Sequence, residues 1–95
     1  MLFVITRLDK PGHDPVRAEN REIHLDYIDS FGKAIVTAGP LLSDDEKKSE
    51  GSVLIVDFEN RAAAEAFAAG DPYNKARLFE QVSIRRWKQV FPKTG

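Results

Sequence analysis

The chain contains no cysteine, which excludes a disulfide framework, a thiolate metal centre and a cysteine nucleophile together. It also lacks a basic excess: 14 lysines and arginines stand against 15 acidic residues, a formal charge of −1. A surface built to neutralise phosphates normally carries surplus positive charge, so nucleic acid is not expected as a partner. Long hydrophobic runs are missing too. The N-terminal MLFVITRLDK holds too short an apolar stretch for a signal peptide or a membrane span. A cytoplasmic location without a membrane partner is the resulting expectation. What is present is 95 residues, 42% hydrophobic and 31% charged, the composition of one globular domain over 1–95.

Leu2 to Leu8 is dense in β-branched and aromatic residues and ends at the turn-forming Asp9-Lys10-Pro11-Gly12, which predicts a strand. Pro15 then opens a long amphipathic helix, with Asp14 as its expected N-cap and Gly32 as its stop. Lys33 to Ala38 reads as a second strand closed by a Gly39-Pro40 turn, and residues 43 to 50 as a charged loop. Ser52 to Phe58 predicts a third strand. Asn60 is placed to cap an alanine-rich helix over Arg61 to Ala69. Asp71-Pro72 starts a short helical turn, and Gln81 to Phe91 predicts a fourth strand. The order is βαββαβ, an α+β ferredoxin-like arrangement with an antiparallel four-stranded sheet.

Several strands are apolar on both faces: Leu2 and Val4 alternate with Phe3 and Ile5, and Val53 and Ile55 with Leu54 and Val56. Two helices cover only one face of such a sheet, so the other must be hidden elsewhere. A second copy of the same sheet is the economical cover, giving a homodimer through the open sheet face.

The first helix carries the chemistry. At ~100° per residue, Arg17, Arg21 and His24 fall within one stripe roughly 60° wide. Val16, Ile23, Tyr27, Ile28 and Phe31 flank the stripe, and Glu19, Glu22, Asp26 and Asp29 lie opposite. Two arginines and an imidazole on an inward face require partners. With right-handed crossovers and strand order 4-1-3-2, five features reach one end of the sheet. They are the N-terminal half of the helix, Gly39-Pro40, Gly51-Ser52 at the start of the third strand, Asp71-Pro72-Tyr73 and the charged loop. A ligand cleft is expected there.

Each of these residues has two readings. His24 is either a general acid or base, since imidazole titrates near neutral pH, or a core histidine satisfied by one carbonyl. Metal ligation is disfavoured, because no carboxylate falls at ligand spacing beside it and His13 lies in the turn. A haem would need a pocket that one helix does not reveal. Asp71 either caps the helical turn or orients His24, and full service to both is not expected of one carboxylate. Arg17 and Arg21 either hold an anionic ligand or bridge to Asp14 and the 44–46 cluster. Tyr73 lends its phenol to the cleft or packs beneath the last strand. Gly39-Pro40 makes a turn or brings backbone amides to a ligand. Arg85, Arg86 and Lys88 around Trp87 read as a solvated sheet edge.

The ending Asp9-Lys10-Pro11-Gly12, the helix pattern Arg17-x-x-x-Arg21-x-x-His24-Leu25-x-Tyr27, the sequences Gly39-Pro40-Leu41, Gly51-Ser52 and Asp71-Pro72-Tyr73, and a last strand containing Trp87 together resemble the YciI-like (YCII-related) family. The resemblance covers nearly the whole chain. It implies a dimeric α+β barrel and a histidine–aspartate pair as the catalytic centre, here His24 and Asp71. One branch of the family resembles a dehydrochlorinase that removes HCl from a chlorinated hydroxyhydroquinone, and the wider superfamily includes muconolactone isomerase. The chain departs from the pattern at Thr6-Arg7, where smaller or more apolar residues are expected.

The expected function is a lyase or isomerase that needs no cofactor and no metal and acts on a cyclic or phenolic substrate. His24 moves a proton, Asp71 orients it, and Arg17 or Arg21 holds an anionic oxygen, with Gly39, Pro40, Ser52 and Tyr73 completing the substrate pocket. Elimination and isomerisation both suit residues that supply proton transfer and oxyanion support without redox chemistry. The alternative is a non-catalytic homodimer that binds a small anion or serves another enzyme as an accessory domain.

Overall fold

A computed structural model describes residues 1–93. The chain forms β1 (Leu2–Asp9), α1 (Asp14–Asp29), a 3-10 turn (Gly32–Ala34), β2 (Ile35–Leu42), β3 (Ser49–Asp57), α2 (Arg61–Gly70), α3 (Pro72–Lys75) and β4 (Phe79–Arg86). The strands make one sheet in the order β2-β3-β1-β4, and every neighbouring pair is antiparallel. This is the ferredoxin-like α+β fold that the order of elements predicts.

The two-residue period of a strand sorts β1 into two faces. Phe3, Ile5 and Arg7 are buried, whereas Leu2, Val4 and Thr6 are half-buried. In register, Ile5 stands opposite Leu54 and Ile84, and Arg7 opposite Ser52 and Val82. The core follows the face of β1 that carries Phe3 and Ile5. With Leu54 and Val56 of β3 they pack with Ala64, Phe67 and Ala68 of α2, and Tyr27 and Ile28 of α1 and Phe31 beyond it close one side. Phe67 meets Phe31 edge-on at 4.7 Å between centroids, a geometry that adds to simple burial. The opposite face presents Leu2, Val4, Leu8, Leu41, Val53 and Ile55, whose register places them together.

Asn60 caps α2 as expected, its side chain accepting from the Ala63 N–H at 2.8 Å. The first helix differs. His13, not Asp14, occupies the cap position and makes no side-chain cap bond, and Asp14 lies in the first turn, where its charge complements the helix dipole. Pro15 is in that first turn as expected. The helix stops at Asp29, and Gly32, with φ of +53°, opens the following 3-10 turn instead of ending the helix. Ile23 lies exposed, on the margin of the inward face.

Gly39-Pro40 is not a turn. Both residues lie within β2, where Pro40 pairs with Ser52 across from it. β2 is an edge strand, so the missing proline N–H breaks no interior ladder. The second strand accordingly runs to Leu42, and the third begins at Ser49, which places Gly51 and Ser52 inside β3. The fourth strand starts at Phe79 and ends at Arg86, leaving Trp87 and Phe91 beyond it and exposed.

Candidate active site

His24 is the one buried residue of α1. Its Nδ1 is 2.8 Å from Oδ1 of Asp71, a side chain with no solvent exposure. Asp71 sits at the junction of two helices. Its backbone N–H closes α2 on the Ala68 carbonyl, and its Oδ1 accepts from the Tyr73 N–H at 2.9 Å to cap α3. Capping and orienting were expected to compete, yet one oxygen serves both. The other oxygen, Oδ2, accepts from Nη1 of Arg7 at 2.7 Å.

Burial works to raise the Asp71 carboxyl, but the His24 hydrogen bond and the charge and bond of Arg7 outweigh it, holding Asp71 below the usual carboxylate range. An ionised carboxylate only accepts, so the proton of the His24 ring belongs on Nδ1. Nε2 is left as the nitrogen available to a ligand.

Arg7 is the residue sequence reasoning missed. In the sequence it stands only as a departure in the first strand; in the structure it is 1% exposed, and its Nε donates to Ser52 Oγ at 3.0 Å. Burial lowers its pKa, opposed by Asp71. The signal was available, because Arg7 shares strand parity with Phe3 and Ile5 and so had to enter the helix-covered side. Ser52 lies at the cavity wall, with its hydroxyl engaged by Arg7.

Tyr73 lies flat on His24, with centroids 3.8 Å apart and planes 10° from parallel. It also meets Phe79 of β4 edge-on at 6.2 Å, so it does pack beneath the last strand. The Arg17 guanidinium covers the ring, 4.8 Å from its centroid. Burial raises the Tyr73 phenol, against the pull of Arg17 and Arg21.

Arg17 does not pair with Asp14 or the 44–46 cluster. It grips Asp9 through two bonds of 2.7 and 3.0 Å and reaches the Gly51 carbonyl at 3.1 Å. Asp9 ends β1 one turn of chain before α1, which makes this bidentate pair the nearer solution. Arg21, by contrast, has no hydrogen bond or ion pair with any described residue. It is the uncommitted cation of the site.

These side chains border a cavity of about 260 Å³ between α1 and the β2–β3 side of the sheet. Arg7, Arg17, Arg21, His24, Ser52 and Tyr73 give its polar wall, and Leu25, Ile28, Leu54, Ala38 and Pro40 its apolar one. Gly39 and Ser49 complete the rim. Gly39 is not held as glycine by packing, since a Cβ there would meet nothing within 4 Å. Gly51 is: a Cβ would run into the Arg7 carbonyl oxygen. No group of three or more potential metal-ligating side chains occurs among the described residues, and no helix of the described residues is long and apolar enough to cross a membrane.

Fold and geometry together give a ferredoxin-like domain with a buried His–Asp pair at the wall of a small cavity. The chain belongs to the YCII-related family, whose domain model matches residues 1–88. It is 35% identical over 99 residues to the protein YciI of Escherichia coli, covering 96% of this chain and all of that one. An uncharacterised protein of Haemophilus influenzae is 38% identical over 98 residues, with the same coverage. Among solved structures, 5-chloro-2-hydroxyhydroquinone dehydrochlorinase of Burkholderia phenoliruptrix, in complex with 2,5-dihydroxybenzoquinone, superposes with a TM-score of 0.87 at 38% identity, over 93% of this chain and 94% of that one. An antibiotic biosynthesis monooxygenase shares the fold alone, at a TM-score of 0.58 and 14% identity over 95% of this chain and 99% of that one.

Proposed function

We propose that the protein is a dehydrochlorinase-like lyase acting on a hydroxylated six-membered ring. The observation that carries this reading is the 2.8 Å contact between Asp71 and His24 Nδ1 beside a cavity of about 260 Å³, in a chain 38% identical to a dehydrochlorinase. The cavity is smaller than the sites that enclose drug-sized molecules and suits one substituted ring. In the keto tautomer of the ring the chlorine-bearing carbon is saturated. His24 Nε2 takes a proton from a ring hydroxyl conjugated to that carbon. The O–H electron pair becomes a carbonyl bond, and the ring double bond shifts toward the carbon that loses chlorine. Asp71 fixes the ring's tautomer and balances the imidazolium that forms. Chloride leaves with the electron pair of the C–Cl bond, so loss of HCl needs no oxidant and no cofactor. Arg21 holds an ionised ring oxygen, a task for which Arg17, committed to Asp9, has little capacity left.

A second copy of the chain covers the open sheet face, where Val4, Leu8, Leu41 and Val53 otherwise meet water. Sheets packed face to face in this way form the dimeric α+β barrel. A second reading, binding of a small anion without turnover, is favoured by the uncommitted Arg21. Chloride release separates the two. Incubated with 5-chloro-2-hydroxyhydroquinone, the wild type is expected to release chloride above the buffer rate. His24→Ala should slow it by about 10²–10⁴-fold, the usual span for a general base. Wild-type release no faster than buffer, with the ring bound, would leave the binding reading standing alone.

A further inference from the structure

Three donors converge on the two oxygens of Asp71. Oδ1 already accepts from His24 Nδ1 and from the Tyr73 N–H, so Arg7 cannot lay its planar fork across both oxygens. It bonds end-on through Nη1 at 2.7 Å, and its Nε turns to Ser52 Oγ. The second terminal nitrogen, Nη2, is left over. It is a fully buried polar atom without a hydrogen-bond partner among the described residues, on a side chain that forms part of the cavity wall.

An unpaired donor on a buried cation is costly, and natural structures rarely keep one without a use. The charges show what use fits. Arg7 with Asp71 and Arg17 with Asp9 are balanced pairs, so Nη2 need not meet a full anion, and any oxygen acceptor suffices. Arg7 and His24 are held by the two oxygens of one carboxylate. Nη2 and Nε2 therefore belong to side chains tied together through Asp71.

We propose that Arg7 is a ligand-binding residue, donating from Nη2 to a carbonyl, hydroxyl or phenolate oxygen of the ring that His24 addresses. This rests on the reading that the cavity takes a hydroxylated ring. It assigns the deep end of the cavity to one ring oxygen and the Arg21 end to another. The ligand class is thereby narrowed to rings oxygenated on two sides. Arg7 also becomes a determinant of specificity, because a ring lacking the deep oxygen would leave Nη2 unpaired.

The test uses 2,5-dihydroxybenzoquinone, titrated calorimetrically into wild type and Arg7→Lys, with the arginine side-chain N–H signals followed by NMR. Lysine keeps a cation against Asp71 but has no planar second arm to reach the ring. Arg7→Lys is expected to bind at least tenfold more weakly, and the Arg7 Nε–H and Nη–H signals of the wild type should move on binding. If Arg7→Lys unfolds, the wild-type NMR titration decides alone. Binding within twofold by a folded Arg7→Lys, or wild-type binding that moves the His24 signals but not those of Arg7, overturns the proposal and leaves the lyase reading intact. Binding that moves Arg7 without any chloride release from 5-chloro-2-hydroxyhydroquinone upholds the proposal and removes the lyase reading. No binding by the wild type defeats both.

Discussion

Tyr73 and His24 are stacked with their ring centroids 3.8 Å apart. The stack fixes the plane of the imidazole, and the Asp71 bond fixes its rotation within that plane. The direction of Nε2 is therefore set before any ligand arrives, which is the preorganisation that proton transfer rewards. Tyr73→Phe preserves the stack and should keep chloride release within about threefold of wild type. Tyr73→Leu removes it and opens a void, with an expected loss of about 2–4 kcal/mol in urea unfolding. Its chloride release should also fall more than that of the phenylalanine variant.

Asp71 gives the protein an acid limit. Its carboxyl is held below the value of the unfolded chain, so the folded state binds fewer protons there. The stabilisation is complete above the unfolded value of 3.8 and is lost as pH falls through the lower folded value. Asp71→Asn abolishes this dependence and strands Arg7, at a cost of about 3–5 kcal/mol near neutrality. The gap in unfolding free energy between wild type and Asp71→Asn should narrow steadily below about pH 4. A gap independent of pH between 2.5 and 6 would assign the shift to other groups.

Gly51 is the one position where backbone approach constrains the site directly. Any Cβ there collides with the carbonyl of Arg7, forcing β1 and β3 apart beside the buried guanidinium. Gly51→Ala should lower stability by more than about 1 kcal/mol, with Gly39→Ala as the lenient control. Thermal melts of the two variants compare them.

The open face predicts association. In sedimentation velocity the wild type is expected to run as a dimer at tens of micromolar, and Val4→Glu as a monomer, because a buried carboxylate at such an interface has no partner. A monomeric wild type would remove the barrel.

The sequence carried much of this. β-Branched and aromatic runs marked β1 and β3, Asn60 marked its helix, and the stripe on α1 singled out His24 with Asp71 as its candidate partner. What escaped did so for physical reasons. Gly39-Pro40 reads as a turn because proline usually interrupts a ladder, and whether β2 lies at an edge is a property of the assembled sheet. For Arg17 the sequence offers an anionic ligand or the acidic neighbours Asp14 and 44–46, whereas the end of β1 lies closer once the strand and helix pack. Arg7 is hard to read because a strand apolar on both faces has no marked inward side, although its parity with Phe3 and Ile5 fixes one.

The loop over residues 43–48 divides the chain into two β-α-β halves. Arg7, Arg17 and His24 belong to the first, Ser52, Asp71 and Tyr73 to the second. Neither half contains the whole site: one has the imidazole without its carboxylate partner, the other the carboxylate without the imidazole. A chain severed in this loop would thus be a natural reporter of its own reassembly, silent as separate pieces and competent only when both halves dock in register.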